Sequence, residues 1–227
     1  MSIKEDKPPE VSYKDIFNHK YRSMTLKMMV AWFSACFIYY GIFLLLPSIL
    51  ARNYATSYDT KYLALIIINI FELFSFFFGL PMIDNPTFGR KRTMWITFLI
   101  VTGFSFLLTQ TGESNTPILL ISFLMMRIAI AINAVVKINL IQTIIPYTIE
   151  IYSTLIRSKG MGVCAVVGRF GSVCLGFVGL NALYWFDGNG LYFIFIGMGI
   201  VSAFAIYKMP FCTVGRPLDS WLLIYIF

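Results

Sequence analysis

Charged residues and potential metal ligands are scarce in this sequence. Of 227 residues, 13% are charged, with 18 basic and 11 acidic side chains, and His19 is the single histidine. A water-soluble domain carries about twice that charged fraction, so the composition excludes a soluble fold. Cys36, Cys164, Cys174 and Cys212 have no paired spacing, which argues against a disulfide framework and a zinc site. Because no nucleophile-and-base pair or ligand cluster can be identified, we expect no enzymatic activity, no catalytic residue, no cofactor and no metal.

Apolar residues are abundant, at 58% of the chain, and the mean hydropathy is +0.76. They form six runs, each close to the roughly 20 residues that cross about 30 Å of hydrocarbon. The runs are 28–46, 62–83, 94–110, 117–137 extending toward 145, 160–186 and 190–207. We therefore predict an all-α integral membrane protein with the lipid bilayer as its solvent.

Three regions are predicted from these runs. Residues 1–26 form a cytoplasmic amino-terminal segment with a short helix, residues 27–208 a six-helix transmembrane bundle, and residues 209–227 a carboxyl-terminal tail. The first 26 residues are polar and of mixed charge. They lack the apolar centre of a signal peptide, so we expect them to remain uncleaved.

The basic residues indicate which way the chain crosses the membrane. With six spans, 13 of the 18 lysines and arginines fall on one side and only Arg52 and Lys61 on the other, while three lie within runs. Such a bias predicts that both termini are cytoplasmic, or matrix-side in a mitochondrion. The net charge of +7 is then accounted for by topology, and no nucleic-acid partner is expected. The sequence does not indicate which membrane holds the protein.

Four charged residues interrupt the apolar runs. Glu72 and Arg127 each lie about 10 residues from the outer end of their spans, which places both roughly 15 Å deep. Arg169 lies at a similar depth from the inner end of span five. A charge at that depth costs at least about 2.5–3.5 kcal/mol, so these side chains should face protein or water, and Glu72 and Arg127 could pair. Lys137 lies close enough to the inner interface to extend its ammonium there.

Span five carries five small residues at spacings of three and four. They are Ala165, Gly168, Ser172, Gly176 and Gly179. Such a row permits close contact between helix backbones. It predicts either a tightly packed helix or a helix that slides against a neighbour during transport.

Three loop segments on the predicted inner side carry a resemblance to a known family. They read MIDNPTFGRKR (82–92), YTIEIYSTLIRSKGMG (147–162) and MPFCTVGRPLDS (209–220). Together they resemble the carboxyl-terminal half of a major facilitator superfamily transporter, in the branch of organic cation and anion transporters, synaptic vesicle glycoprotein 2 relatives and sugar porters. The most specific match is to the family's inner-loop motif, whose positions are occupied by Glu150, Tyr152, Thr154, Arg157 and Gly160.

This resemblance implies half of a major facilitator fold, with six helices in a three-plus-three inverted repeat, and an inner gate. Charged residues and glycine at inner helix ends can form contacts that close the inside and break as bundles rock. The candidates are Asp84, Gly89, Arg90, Lys91, Glu150, Arg157 and Arg216. The alternative for the basic members is that they only retain positive charge on the inner side.

The resemblance also implies a partner, since a major facilitator pore lies between two halves. A lone half would expose a polar cavity face to lipid. The candidate cavity residues are Glu72, Arg127, Asn133, Asn139 and Arg169. The partner is expected to be a separate amino-terminal half, a second copy, or a larger membrane assembly.

Two functions therefore compete. The first is a half-size transporter that moves a small organic or ionic solute by alternating access together with its partner. The alternative is a non-transporting, transporter-derived structural subunit of a large membrane complex, such as a mitochondrial one. The inner-loop motif favours transport. Departures from the family pattern, such as two extra residues between Asp84 and Gly89 and Ser153 where proline is usual, favour the structural role.

Overall fold

The computed structural model describes residues 12–53, 62–63, 65–67, 69–70, 89–111, 116–134, 143–182, 185 and 189–209. These residues are helical almost throughout. A 3₁₀-helix, Tyr13–Phe17, precedes the α-helices α1 (His19–Asn53), α2 (Gly89–Thr111), α3 (Thr116–Ala134), α4 (Ile144–Ile151), α5 (Arg157–Ala182) and α6 (Gly190–Tyr207). The described residues between 62 and 70 are also helical.

Four of these helices are long and apolar enough to cross a bilayer. They are His19–Leu44, Gly89–Gln110, Arg157–Ala182 and Gly190–Tyr207, and they coincide with the predicted spans one, three, five and six. Predicted span four is represented by α3, whose apolar part, Pro117–Ile132, is shorter. Predicted span two covers residues 62–83. Its described residues up to position 70 are helical, and the rest of the span lies outside the described residues.

Helix α1 begins before the apolar run of predicted span one. It starts at His19, within the segment 1–26 assigned to the amino-terminal region, and continues to Asn53. Its 35 residues extend about 52 Å, well beyond the thickness of the hydrocarbon. The polar first two turns can be helical because a helix satisfies its own backbone hydrogen bonds on either side of the membrane surface. The apolar run 28–46 therefore marks only the central part of this helix.

Helix α1 is the centre of the bundle. It packs along α5 and also contacts α6 and α3, whereas α2 packs against α6 and α3. Aromatic side chains fill the interior between these helices; Phe37 of α1 meets Phe195 of α6 edge to face, with ring centroids 6.4 Å apart. Phe98 and Phe123 are fully buried in the same core.

Glycine permits the close approach of α1 and α5. A Cβ on Gly171 would lie 2.6 Å from the carbonyl oxygen of Phe33, and one on Gly168 would lie 2.9 Å from Cys36 Sγ. The predicted row of small residues is only partly on this face: Gly168 and Gly179 are buried, but Gly176 is exposed and a Cβ there would meet nothing. Small residues at spacings of three and four can form two adjacent rows on a helix. In α5 the row that contains Gly171 is the one that packs against α1.

Several chain segments meet at one end of the bundle. Lys27 Nζ donates to the carbonyl oxygen of Lys208, 3.0 Å away, and Lys91 Nζ to that of Met209, 2.6 Å away. The beginnings of α1 and α2 and the end of α6 therefore lie together. Lys159, at the start of α5, lies 5.1 Å from the ring centroid of Tyr13 and joins the same group. We call this the basic end of the bundle.

Candidate functional site

An ion pair at the basic end joins two predicted gate residues. Arg90 Nη1 contacts Glu150 Oε1, and each side chain is 21% exposed. Gly89, directly before Arg90, begins α2 with a φ of 62°. Glycine adopts this left-handed conformation without steric cost. Arg90 follows it and lies opposite the last turn of α4, which carries Glu150.

Two lysines hold the end of α6. Lys27 from α1 and Lys91 from α2 donate to the last carbonyl oxygens beyond that helix, at Lys208 and Met209. The carboxyl end of a helix has carbonyls without intrahelical partners and a partial negative charge, which cationic donors stabilise. Lys91 Nζ also lies 5.9 Å from the ring centroid of Tyr207. These contacts tie α1, α2 and α6 together.

Arg157 makes hydrogen bonds across the connection between α4 and α5. Its Nε donates to the carbonyl oxygen of Ile149 at 3.0 Å, and its Nη2 lies 3.5 Å from Thr154 Oγ1. The guanidinium therefore spans the turn between the two helices. This gives Thr154 and Arg157, both identified in the sequence motif, a joint role in fixing the position of Glu150.

Tyr152 is the packing centre of this region. Its side chain is fully buried, and its hydroxyl donates to Thr25 Oγ1 of α1 at 3.0 Å. A Cβ on Gly160 would lie 2.5 Å from Tyr152 Cε2, so glycine is required where α5 passes the ring. Burial raises the pKa of the Tyr152 phenol above its ordinary value, and neighbouring Cys164 raises it further. The motif residues Tyr152 and Gly160 are thus structural supports for the connection between α4 and α5.

Arg127, a predicted cavity residue, is buried between α3 and α1. It is 2% exposed, and its Nη1 donates to the carbonyl oxygen of Tyr39 at 2.9 Å. Its guanidinium carbon lies 4.0 Å from the ring centroid of Tyr39 and 5.4 Å from that of Phe43. A carbonyl acceptor and aromatic faces stabilise a cation that is removed from water. The expected partner, Glu72, lies outside the described residues.

Arg169 lies on the exposed face of α5. Its neighbours on that face, Val166 and Phe170, are 69% and 61% exposed. Within the described ranges, no hydrogen bond or ion pair is made by this guanidinium. Asn133 lies in α3, but its side chain is not among those described. The remaining candidates, Asn139, Asp84 and Arg216, fall outside the described residues.

The sequence did not identify three contributors to this site. Lys27 and Lys208 were counted only as topological charges, and Thr25 was not singled out. The sequence could not indicate which backbone carbonyl oxygens accept the lysine hydrogen bonds, because every residue has a carbonyl oxygen.

Among the described residues there is no group of three or more histidine, cysteine, aspartate or glutamate side chains that could hold a metal ion.

Comparisons with known proteins agree on one family of transporters. The profile of the family described as "Sugar (and other) transporter" matches residues 1–222. Similar proteins include "Organic cation/carnitine transporter 7" of Arabidopsis thaliana, 28% identical over 96% of this chain and 43% of that protein. "Synaptic vesicle 2-related protein" of Xenopus laevis is 28% identical over 91% of this chain and 39% of that protein. "Solute carrier family 22 member 15" of Xenopus tropicalis is 27% identical over 88% of this chain and 35% of that protein.

The chain spans less than half the length of these relatives. The matched profile, however, covers nearly all of the chain. Together with four helices able to cross a bilayer, this makes it an integral, multi-pass membrane protein. The chain belongs to the sugar (and other) transporter family of the major facilitator superfamily.

Proposed function

We propose that this chain forms one six-helix half of a membrane transporter that moves a small organic or ionic solute by alternating access. In this proposal the six spans are two inverted units of three, with spans one to three in the first and four to six in the second. The observation that carries the proposal is the ion pair of Arg90 and Glu150. It joins the start of span three to the segment that follows span four, and so links the two units.

The basic end is proposed to be the inner gate. Arg90, Lys91, Glu150 and Arg157 lie there in contacts between helices or across a helix connection. Charge-assisted contacts of this kind can close one side of a transporter and open when the halves rock. The excess of basic residues supports placing this end, with both termini, on the cytoplasmic or matrix side.

A partner chain is proposed from the position of Arg169. It lies about 12 residues from the start of α5 at Arg157, roughly 18 Å into the span. An arginine exposed to lipid at such depth costs at least about 2.5–3.5 kcal/mol. A water-filled cavity shared with a second half would remove most of that cost. The partner is either a separate amino-terminal half or a second copy of this chain.

The solute is proposed to be a small organic ion, and carnitine is the first to test. One relative is named for organic cations and carnitine. Carnitine combines a quaternary ammonium with a carboxylate, which would complement Glu72 and Arg169 if both face the cavity. A simple organic cation such as tetraethylammonium is the comparison, because it lacks the carboxylate.

The composition of the assembly is the first measurement. The tagged chain is purified in mild detergent from the cells that make it, and the mass of the assembly is determined. A particle of two transporter halves, each near the chain's own 25.9 kDa or a separate half of similar size, supports the proposal. A very large complex in which the chain is one structural subunit contradicts it.

Uptake by the reconstituted assembly is the second measurement. We expect saturable uptake of radiolabelled carnitine or tetraethylammonium, lost in Glu150→Gln and Arg90→Gln. Lys14→Gln is the matched control, since Lys14 is exposed near the same end of the bundle and outside the gate contacts. A folded assembly that takes up neither solute, or gate variants that transport as well as the control, would count against a gated transporter.

A further inference from the structure

We propose that the basic end carries a binding site for one anionic phospholipid, located between α1 and α6. The site combines a cationic cavity at the ends of these helices with an apolar groove farther along the same two helices. The inference does not depend on transport activity or on the identity of a solute. It concerns a surface that neither the family match nor the gate contacts explain.

The cavity is cationic and lies where two membrane-spanning helices end. Its volume is about 600 Å³. Its polar lining residues are Asn18, His19, Lys20, Ser23, Lys27 and Lys208. Three lysines contribute to it, and the described lining includes no acidic side chain. The first turn of α1 adds the positive end of a helix dipole. Phosphate groups of lipids lie at this level of a membrane, since α1 and α6 enter the hydrocarbon from here.

The groove is almost wholly apolar. Its volume is about 500 Å³, and Leu26, Met29, Val30, Phe33, Val167 and Val201 line it together with Gly197 and Met198. It is bounded by α1 and α6, the helices that form the cavity, and by α5. A lipid acyl chain is apolar, so it can pack against this apolar surface.

Helix geometry places the cavity and the groove in register. Lys27 and Val30 are three residues apart on α1, and Val201 and Lys208 are seven residues apart on α6, so each pair shares a helix face. The groove therefore starts beside Lys27 on α1, at Leu26, and on α6 it starts at Val201, roughly 10 Å deeper than Lys208. Lys27 is directed toward α6, because its Nζ donates to the carbonyl oxygen of Lys208. A molecule with an anionic head and an apolar chain would contact both regions, whereas a free phosphate would use only the first.

Binding is tested with the full chain in detergent micelles, where no charged membrane surface contributes. The purified protein is titrated with phosphatidic acid, phosphatidylinositol 4-phosphate or phosphatidylcholine, and bound lipid is counted by native mass spectrometry. We expect one phosphatidic acid or phosphatidylinositol 4-phosphate per chain, retained at least about tenfold better than phosphatidylcholine. Equal retention of the three lipids, or no retention, would overturn the proposal.

The cationic cavity is tested with a double variant matched for charge. Lys20→Gln/Lys208→Gln should weaken binding of the anionic lipid about 30-fold, from the attraction expected of two basic residues. Lys14→Gln/Arg22→Gln removes the same charge from exposed positions that do not line the cavity, and should leave binding within about twofold. Equal losses in the two variants would show non-specific attraction and overturn the site.

The apolar groove is tested by filling it. A Cβ at Gly197 would meet no atom within 4 Å, so Gly197→Leu can extend into the groove without disturbing the fold. Gly103→Leu is the control, because that position is equally open and does not line the groove. We expect Gly197→Leu alone to weaken phosphatidic acid binding at least about tenfold. No difference between the variants, or full competition by glycerol 3-phosphate at the lipid's own concentration, would identify a phosphate site and overturn the lipid assignment.

Discussion

Neutralising one member of the Arg90–Glu150 pair should lower the free energy of unfolding, and the size of the loss depends on how deeply the two side chains are buried. Each side chain is 21% exposed. Exposed ion pairs contribute at most about 1 kcal/mol, and removal of one partner from a fully buried pair costs about 3–5 kcal/mol. The pair lies between these limits. We expect Arg90→Gln and Glu150→Gln each to lower the free energy of unfolding by about 2 kcal/mol.

The double variant Arg90→Gln/Glu150→Gln separates the pair from the two individual side chains. Once one partner is gone, removing the other leaves no uncompensated charge, so the double loss should also be about 2–3 kcal/mol. The coupling energy is then about 1–2 kcal/mol. The measurement is a double-mutant cycle on the detergent-solubilised chain, from denaturant unfolding, with single-variant melting temperatures lower by roughly 4–8 °C.

Two further variants make this cycle decisive. Arg22→Gln removes an exposed arginine from the first turns of α1 and should change stability by less than about 0.5 kcal/mol. The exchange Arg90→Glu/Glu150→Arg restores opposite charges and should recover part of the loss. Strictly additive losses at positions 90 and 150, with no recovery on exchange, would refute the reasoning that this contact stabilises the bundle.

Three other predictions follow from the same structure. Gly160→Ala should cost about 1–3 kcal/mol of unfolding free energy, because its Cβ would overlap the buried Tyr152 ring, whereas Gly162→Ala has open space and should be neutral or stabilising; equal effects would contradict the packing. Glu72→Gln and Arg127→Gln should each cost about 3–5 kcal/mol if they form an intramembrane pair, and their double variant should recover much of that loss; additive costs would show that they do not meet. Tags at both chain ends should be protected alike from external protease, and opposite accessibility would contradict the six-span topology.

Positions of spans could be predicted because hydropathy is a local property. In lipid, the backbone must satisfy its own hydrogen bonds, so an apolar run of sufficient length has to be helical. Runs 94–110, 160–186 and 190–207 correspond to α2, α5 and α6 for this reason. The start of α1 at His19 could not be read in the same way, since a helix continues beyond the hydrocarbon wherever its own hydrogen bonds and contacts support it.

The inner-loop motif could also be recognised in the sequence, but the role of each of its residues could not. Glu150 was a gate candidate without a known partner, and the structure brings Arg90 to it from about 60 residues away. Tyr152 and Gly160 were motif positions; their contact explains why an aromatic ring and a residue without a side chain occur together. Spacing along the chain could not supply this, because it depends on how α5 passes the end of α4.

Composition, hydropathy and the inner-loop motif determined the membrane class, the positions of four candidate spans and the family. Tertiary structure decided the pairing of Lys27 and Lys91 with carbonyl oxygens at Lys208 and Met209, up to 181 residues away in sequence. It also decided which glycines of α5 meet α1, with Gly171 buried and Gly176 exposed. The physical reason is that hydropathy is summed over neighbours in the chain, whereas a hydrogen bond or a close backbone contact requires a distance between helices, which only packing sets.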